Sequence, residues 1–169
     1  MSGLSDARLR QILLGSLPGA NEVGATGNTK PIEVQIPTAG RHRIYLWTTT
    51  PDQSTTGRPS DEHKAQIILP GTARGSRQIL LNGDMTTALL GYSPVFGVFT
   101  AWQVERHLDS GYSANLQFKE GLLANGAAFG WAVGAPRRTQ SGPEVRVAFH
   151  PVHLRHFLRL LRDADAAGP

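Results

Sequence analysis

The chain has 169 residues, 40% of them hydrophobic and 18% charged, which is the composition of a globular domain with a buried core. It contains no cysteine, which excludes disulfides, thiol catalysis and cysteine-ligated zinc. A formal net charge of +4 and a sequence pI near 10.0 favour a polyanionic partner, and no apolar run approaches the roughly 20 residues of a membrane span.

The opening residues are polar and charged and lack the pattern of a signal peptide, so a cytoplasmic location and no membrane partner are expected. Ser5 reads as the N-cap of a short helix over Ala7 to Leu14, whose Leu9, Ile12 and Leu13 form one apolar stripe. Gly15 to Lys30 is rich in Gly, Asn, Thr and Ser and reads as a linker or arm. The expected organisation is a helix with linker over residues 1–30, a single α+β DNA-binding domain over 31–163, and a frayed tail over 164–169.

Strands are predicted over Ile32 to Ile36 and His42 to Thr49, the second carrying large side chains on both faces. Pro51 to Ser60 reads as a loop, Lys64 to Leu69 as a strand ended by Pro70-Gly71. Asn82-Gly83 signals a hairpin turn between Ile79 to Leu81 and Ala88 to Tyr92. Val95 to Trp102 alternates as a strand, with Phe96, Val98, Thr100 and Trp102 on one face. Ser113 is expected to cap a helix from Ala114 to Ala128. Further strands follow at Phe129 to Val133 and Glu144 to Phe149, joined by a basic loop from Pro136 to Pro143. Pro151 opens a closing helix with the apolar stripe Leu154, Phe157, Leu158 and Leu161. The pattern is α+β: a curved, mostly antiparallel sheet or partial barrel with packed helices.

Fourteen of the seventeen basic residues are arginine, the side chain whose planar fork suits phosphates and guanine edges, although a GC-rich genome gives the same bias. Pro51-Asp52 followed by Glu62-His63-Lys64 matches the PD-(D/E)XK nuclease pattern, in which two carboxylates hold Mg²⁺ and a lysine orients water. Set against it, the segment before Glu62 is polar and loop-like, and the plainer reading is a loop entering a strand. Arg58, Lys64 and Gln66 form a second candidate, a binding edge able to read phosphates and bases. Tyr112, Ser113, Asn115, Gln117 and Lys119 would cluster at a helix N-terminus, a natural phosphate site, with Trp102 and Arg106 as a neighbouring wall. Arg41 and Arg43, and Arg137 and Arg138 in the basic loop, are candidate phosphate contacts. Arg155, Arg159 and Arg162 line one helix face, for which a solvated basic surface suffices; His150, His153 and His156 lack the carboxylate of a zinc site.

Segments His42 to Thr50, Arg58 to Ile67, Leu89 to Trp102, Tyr112 to Lys119 and Glu144 to Pro151 together resemble the amino-terminal recognition regions of bacterial restriction endonucleases, over roughly residues 41–160. The resemblance implies a target-recognition domain for double-stranded DNA, with cutting left to a separate nuclease domain or subunit. Some such regions read a modified base, and an aromatic pocket of Tyr45, Trp47, Phe99 or Trp102 would then accept a flipped base. Three functions stay open: DNA recognition in a restriction or defence system without cofactor, an endonuclease using Asp52, Glu62, Lys64 and Mg²⁺, and a protein-interaction domain.

Overall fold

The computed structural model describes residues 3–24, 30–51, 60–69, 79, 81, 83–108, 112–139 and 142–167. The elements in chain order are α1 (Asp6–Gly15), β1 (Asn21–Glu22), β2 (Ile32–Ile36), β3 (Gly40–Thr48), β4 (Thr50–Pro51), β5 (Glu62–Ile68), β6 (Thr86–Ser93) and β7 (Val98–Trp102). They continue with β8 (Tyr112–Lys119), α2 (Glu120–Phe129), β9 (Trp131–Val133), β10 (Arg137–Thr139), β11 (Gly142–Glu144), β12 (Val147–Phe149) and α3 (Leu154–Ala167).

Seven strands form an open sheet in the order β1-β2-β3-β6-β7-β12-β9, and β4-β5-β8 form a second, three-stranded sheet. Every pairing in the large sheet is antiparallel except β3 with β6, where His42 stands opposite Thr86 and Thr48 opposite Tyr92. A parallel pair needs a long crossover. Here the crossover carries β4 and β5, so the small sheet grows out of the connection between two central strands of the large one.

Both faces of the large sheet are covered, which explains why β6 and β7 are buried along almost their whole length. On one face Leu9 and Leu13 of α1 and Leu154 and Leu158 of α3 pack on Ile36, Ile44, Leu46, Leu90, Phe99 and Phe149. On the other, Ala65, Ile67, Leu116 and Phe118 of the small sheet and Leu123 of α2 meet Tyr45, Trp47, Leu89, Val98 and Trp102. The arrangement is α+β, as the pattern implies. Among the described residues no helix is long and apolar enough to cross a membrane.

Several local expectations are corrected. Tyr112 to Lys119 is a strand and not the first half of a helix; the helix begins only at Glu120. Leu116 and Phe118 are buried while Asn115 and Lys119 are exposed, a period of two that satisfies a sheet and not a helix. Asn82 of the expected hairpin turn lies outside the described residues; Ile79 and Leu81 lie in no strand, and β6 pairs with β3 and β7. A tight turn at Pro94 to Gly97 joins β6 to β7, where Gly97 takes φ +67° and its N–H bonds Ser93 O at 2.8 Å. The basic loop is itself a hairpin, with Arg137 opposite Glu144 and Arg138 opposite Pro143. The linker after α1 contributes the short strand β1, which pairs with β2.

The helices are placed by identifiable contacts. Ser5 Oγ caps α1 by accepting from Arg8 N at 3.3 Å. Gly126 lets α2 sit on β12: a Cβ there would meet the Ala148 Cβ at 2.9 Å and the Ala148 carbonyl at 3.0 Å. Gly126→Val is therefore expected to lower stability by about 1–3 kcal/mol, read as a fall in thermal midpoint. His42 lies fully buried beneath α3, where its Nε2–H donates to Leu158 O at 2.9 Å. Burial holds its imidazole pKa below the ordinary 6.5, with Arg162 lowering it further and Asp165 opposing. The unfolded chain then takes up the proton first as pH falls, so this contribution to stability is complete above pH 6.5 and declines below it. The stability gap between the wild type and His42→Gln should accordingly narrow when melts at pH 7.5 and 5.5 are compared.

Candidate nucleic-acid interface

The small sheet presents the candidate site. Side chains alternate across a strand, and β5 turns His63, Ala65 and Ile67 inward, leaving Glu62, Lys64 and Gln66 outward. On β8, Leu116 and Phe118 point inward and Asn115, Gln117 and Lys119 outward. The two strands are antiparallel, with Glu62 opposite Lys119, Lys64 opposite Gln117 and Gln66 opposite Asn115. Two sets of residues that the sequence offers as separate candidates thus form one polar face. Seven residues of β5 at about 3.3 Å each make it roughly 23 Å long.

Charge gathers at the Glu62–Lys119 end of this face. Lys119 Nζ bridges Asp61 at 2.9 Å and Glu62 at 3.3 Å. The hydrogen bond from Lys119 holds the Asp61 carboxyl below its usual range, and the same bond holds the ammonium of Lys119 above its own. This ion pair is solvent-exposed and so easily exchanged for a phosphate contact. From the neighbouring hairpin, Arg137 Nη1 donates to Gln117 Oε1 at 2.8 Å, which brings a guanidinium to the same face. Lys64 and Gln66 also border a cleft of about 250 Å³ against Trp47, Thr48, Thr50 and Lys30.

The ribbon is held from below by Arg146, which the sequence reading passes over. This side chain is buried, lies 5.7 Å over the Phe118 ring and donates from Nη1 to Gln117 O at 2.7 Å. Burial pulls its guanidinium pKa below the ordinary value. Its signal in the sequence is weak, an arginine at an alternating position of EVRVAF next to residues that must be core. Beside it, Trp102 meets Phe118 edge-on at 4.8 Å. The buried His63 lies 3.4 Å from the Glu120 carboxylate that starts α2.

The remaining candidates are placed elsewhere. Arg41 forms an ion pair with Asp84, and Arg43 Nε donates to Glu33 Oε1 at 2.9 Å, both at the start of β3. Arg106 lies in a 3₁₀ turn over Val104 to Arg106, beside Gly142. Tyr112 and Ser113 belong to the strand β8 and not to a helix N-terminus. Arg138 is on β10. Asp52 and Arg58 lie outside the described residues. Glu62 of the nuclease pattern is engaged by Lys119, and among the described residues no three His, Asp or Glu side chains are grouped to hold a metal. The aromatic pocket is corrected: Tyr45, Trp47 and Trp102 are buried between the sheets, whereas Phe99 faces the helices on the opposite side.

The other surfaces suit a polyanion less well. Arg155 donates to Pro18 O and Arg162 Nη1 to Thr38 O at 3.0 Å, so two arginines of the α3 stripe anchor the helix to the body. His150 caps the turn before α3, while His153 and His156 stand edge-on to Trp131. A cavity of about 860 Å³ lies between α3 and the ends of β6 and β7, but its ionisable lining groups are the acids Glu105 and Asp165. Burial, and then the charge of Glu105, raise the Asp165 carboxyl above its usual range, and that site repels phosphate.

A family model described as Methylase-associated X1 matches residues 40–158, which is 119 of the 169 residues. The match runs from the start of β3 into α3 and includes all of the small sheet. No curated protein and no solved structure matches the chain. The clamp on the ribbon is open to test: Arg146→Ala should lower stability by about 1.5–3 kcal/mol and speed hydrogen exchange at the β8 amides more than at those of α3.

Proposed function

The chain belongs to the Methylase-associated X1 family, and we propose that it is the DNA-recognition module of a methylase-linked restriction or defence system. The observation that carries this reading is the cross-strand register that groups Lys64, Gln66, Asn115, Gln117 and Lys119 on one face. The major groove of DNA admits a two-stranded β-ribbon. A ribbon whose inner side is apolar and whose outer side holds amides beside cations fits that role. Lys64, Lys119 and Arg137 neutralise phosphates and set the register, while Gln66, Asn115 and Gln117 meet base edges. Cleavage, where the system includes it, belongs to a separate nuclease domain or subunit.

Fluorescence polarisation with labelled duplexes over a salt series tests this directly. Three phosphates neutralised by Lys64, Lys119 and Arg137 give a slope of log affinity against log salt of about −2.7. Lys119→Ala should make that slope shallower by about 0.9 while weakening all duplexes alike. A flat salt dependence, or no binding at low salt, would falsify the reading.

A further inference from the structure

We propose that the central amides of the ribbon read adenine, and that methylation of that adenine at N6 releases the protein. The inference rests on the DNA-recognition reading above and names what the same face distinguishes. Gln66 and Asn115 stand directly opposite each other in the register, and both are exposed. Opposed side chains of an antiparallel pair have Cβ atoms about 4.5–5.5 Å apart, close to the 3.4 Å rise between base pairs. The pair is therefore sized for one base pair or two neighbours. Gln117, one step along the same row as Asn115, already has its Oε1 engaged by Arg137 Nη1.

The choice of base follows from donors and acceptors. A carboxamide carries one acceptor oxygen and one donor NH₂ on the same planar group. Adenine presents the complement in the major groove, an N7 acceptor beside an N6 donor. Guanine presents two acceptors and suits arginine or lysine; cytosine presents a single donor and suits a carboxylate. Among the described residues, the outward rows of β5 and β8 hold no arginine, and their one carboxylate, Glu62, is bridged to Lys119. Gln66 and Asn115 lie one step beyond the Lys64–Gln117 pair, away from the charged Glu62–Lys119 end, so adenine is the base this arrangement selects.

N6 methylation acts on the same contact. In an A·T pair one N6 hydrogen bonds thymine and the other points into the groove. A methyl group in place of the second removes the donor that the amide oxygen accepts and sets an apolar group against it. Leaving that oxygen desolvated and unpaired costs more than the bond was worth. A domain associated with methylases then binds the unmethylated state of its target and leaves the methylated one.

The test begins by selecting binders from a pool of duplexes with a random core, using the full chain at low salt. Selected sites should be enriched in adenine at one or two adjacent positions. The best site is then compared with the same duplex carrying N6-methyladenine there, and with one carrying 5-methylcytosine elsewhere in the core. N6 methylation should weaken binding about tenfold or more, and 5-methylcytosine should not. Gln66→Ala with Asn115→Ala should abolish the adenine preference while the salt slope stays, and Gln66→Glu should move the preference toward cytosine. Circular dichroism of each variant confirms that these exposed substitutions leave the fold intact. Salt-dependent binding with equal affinity for adenine and N6-methyladenine overturns this inference alone. Absence of all duplex binding overturns the DNA-recognition reading as well.

Discussion

The β5–β8 ribbon must bury every second side chain against the large sheet, and the polar face follows from that requirement. His63, Ala65, Ile67, Leu116 and Phe118 fill the space between the two sheets. Lys64, Gln66, Asn115 and Gln117 are driven outward as a set because the period of a strand is two. A slip of one residue would turn this whole set into the core. Trp102 against Phe118 and Arg146 against the Gln117 carbonyl resist such a slip, since each contact exists in one register only.

The energetic asymmetry between the two sides of the ribbon explains how one surface can be both stable and adaptable. Its inner side is held by apolar burial and by a desolvated guanidinium whose loss would leave the Gln117 carbonyl without that partner. Its outer side is held by exposed ion pairs such as Lys119 with Asp61, worth little to the fold and readily exchanged. Chemistry exposed to solvent is thereby separated from chemistry that keeps the chain folded. The groove beneath α3 has the opposite character, apolar walls with two acids.

How far the sequence anticipates this depends on whether the deciding contact is local. Period-two runs at Ile32 to Ile36 and Lys64 to Leu69, and period-3.6 stripes in α1 and α3, are legible because each element declares its own buried face. Tyr112 to Lys119 misleads, because Ser113 looks like a cap and Leu122 and Leu123 continue a helical spacing from Leu116. What decides it is a partner strand some fifty residues earlier, with Lys64 opposite Gln117. The parallel pairing of β3 with β6 is equally non-local. Lys64, Gln66, Asn115, Gln117 and Lys119 are each legible as polar residues, but their grouping on one face is invisible until β8 is a strand. The arginines in ion pairs, Arg41 and Arg43, show the limit of reading charge alone: neighbouring carboxylates on other elements engage them first.

The most direct measurement is a titration of isotope-labelled protein with a short duplex, followed through backbone and side-chain amide resonances. A ribbon interface requires the side-chain NH₂ signals of Gln66, Asn115 and Gln117, with the backbone of β5 and β8, to move first and furthest. The resonances of α1 and α3 should stay in place. Shifts centred on α3, or on the groove that holds Glu105 and Asp165, with a silent ribbon would contradict the assignment of the small sheet as the DNA-reading face.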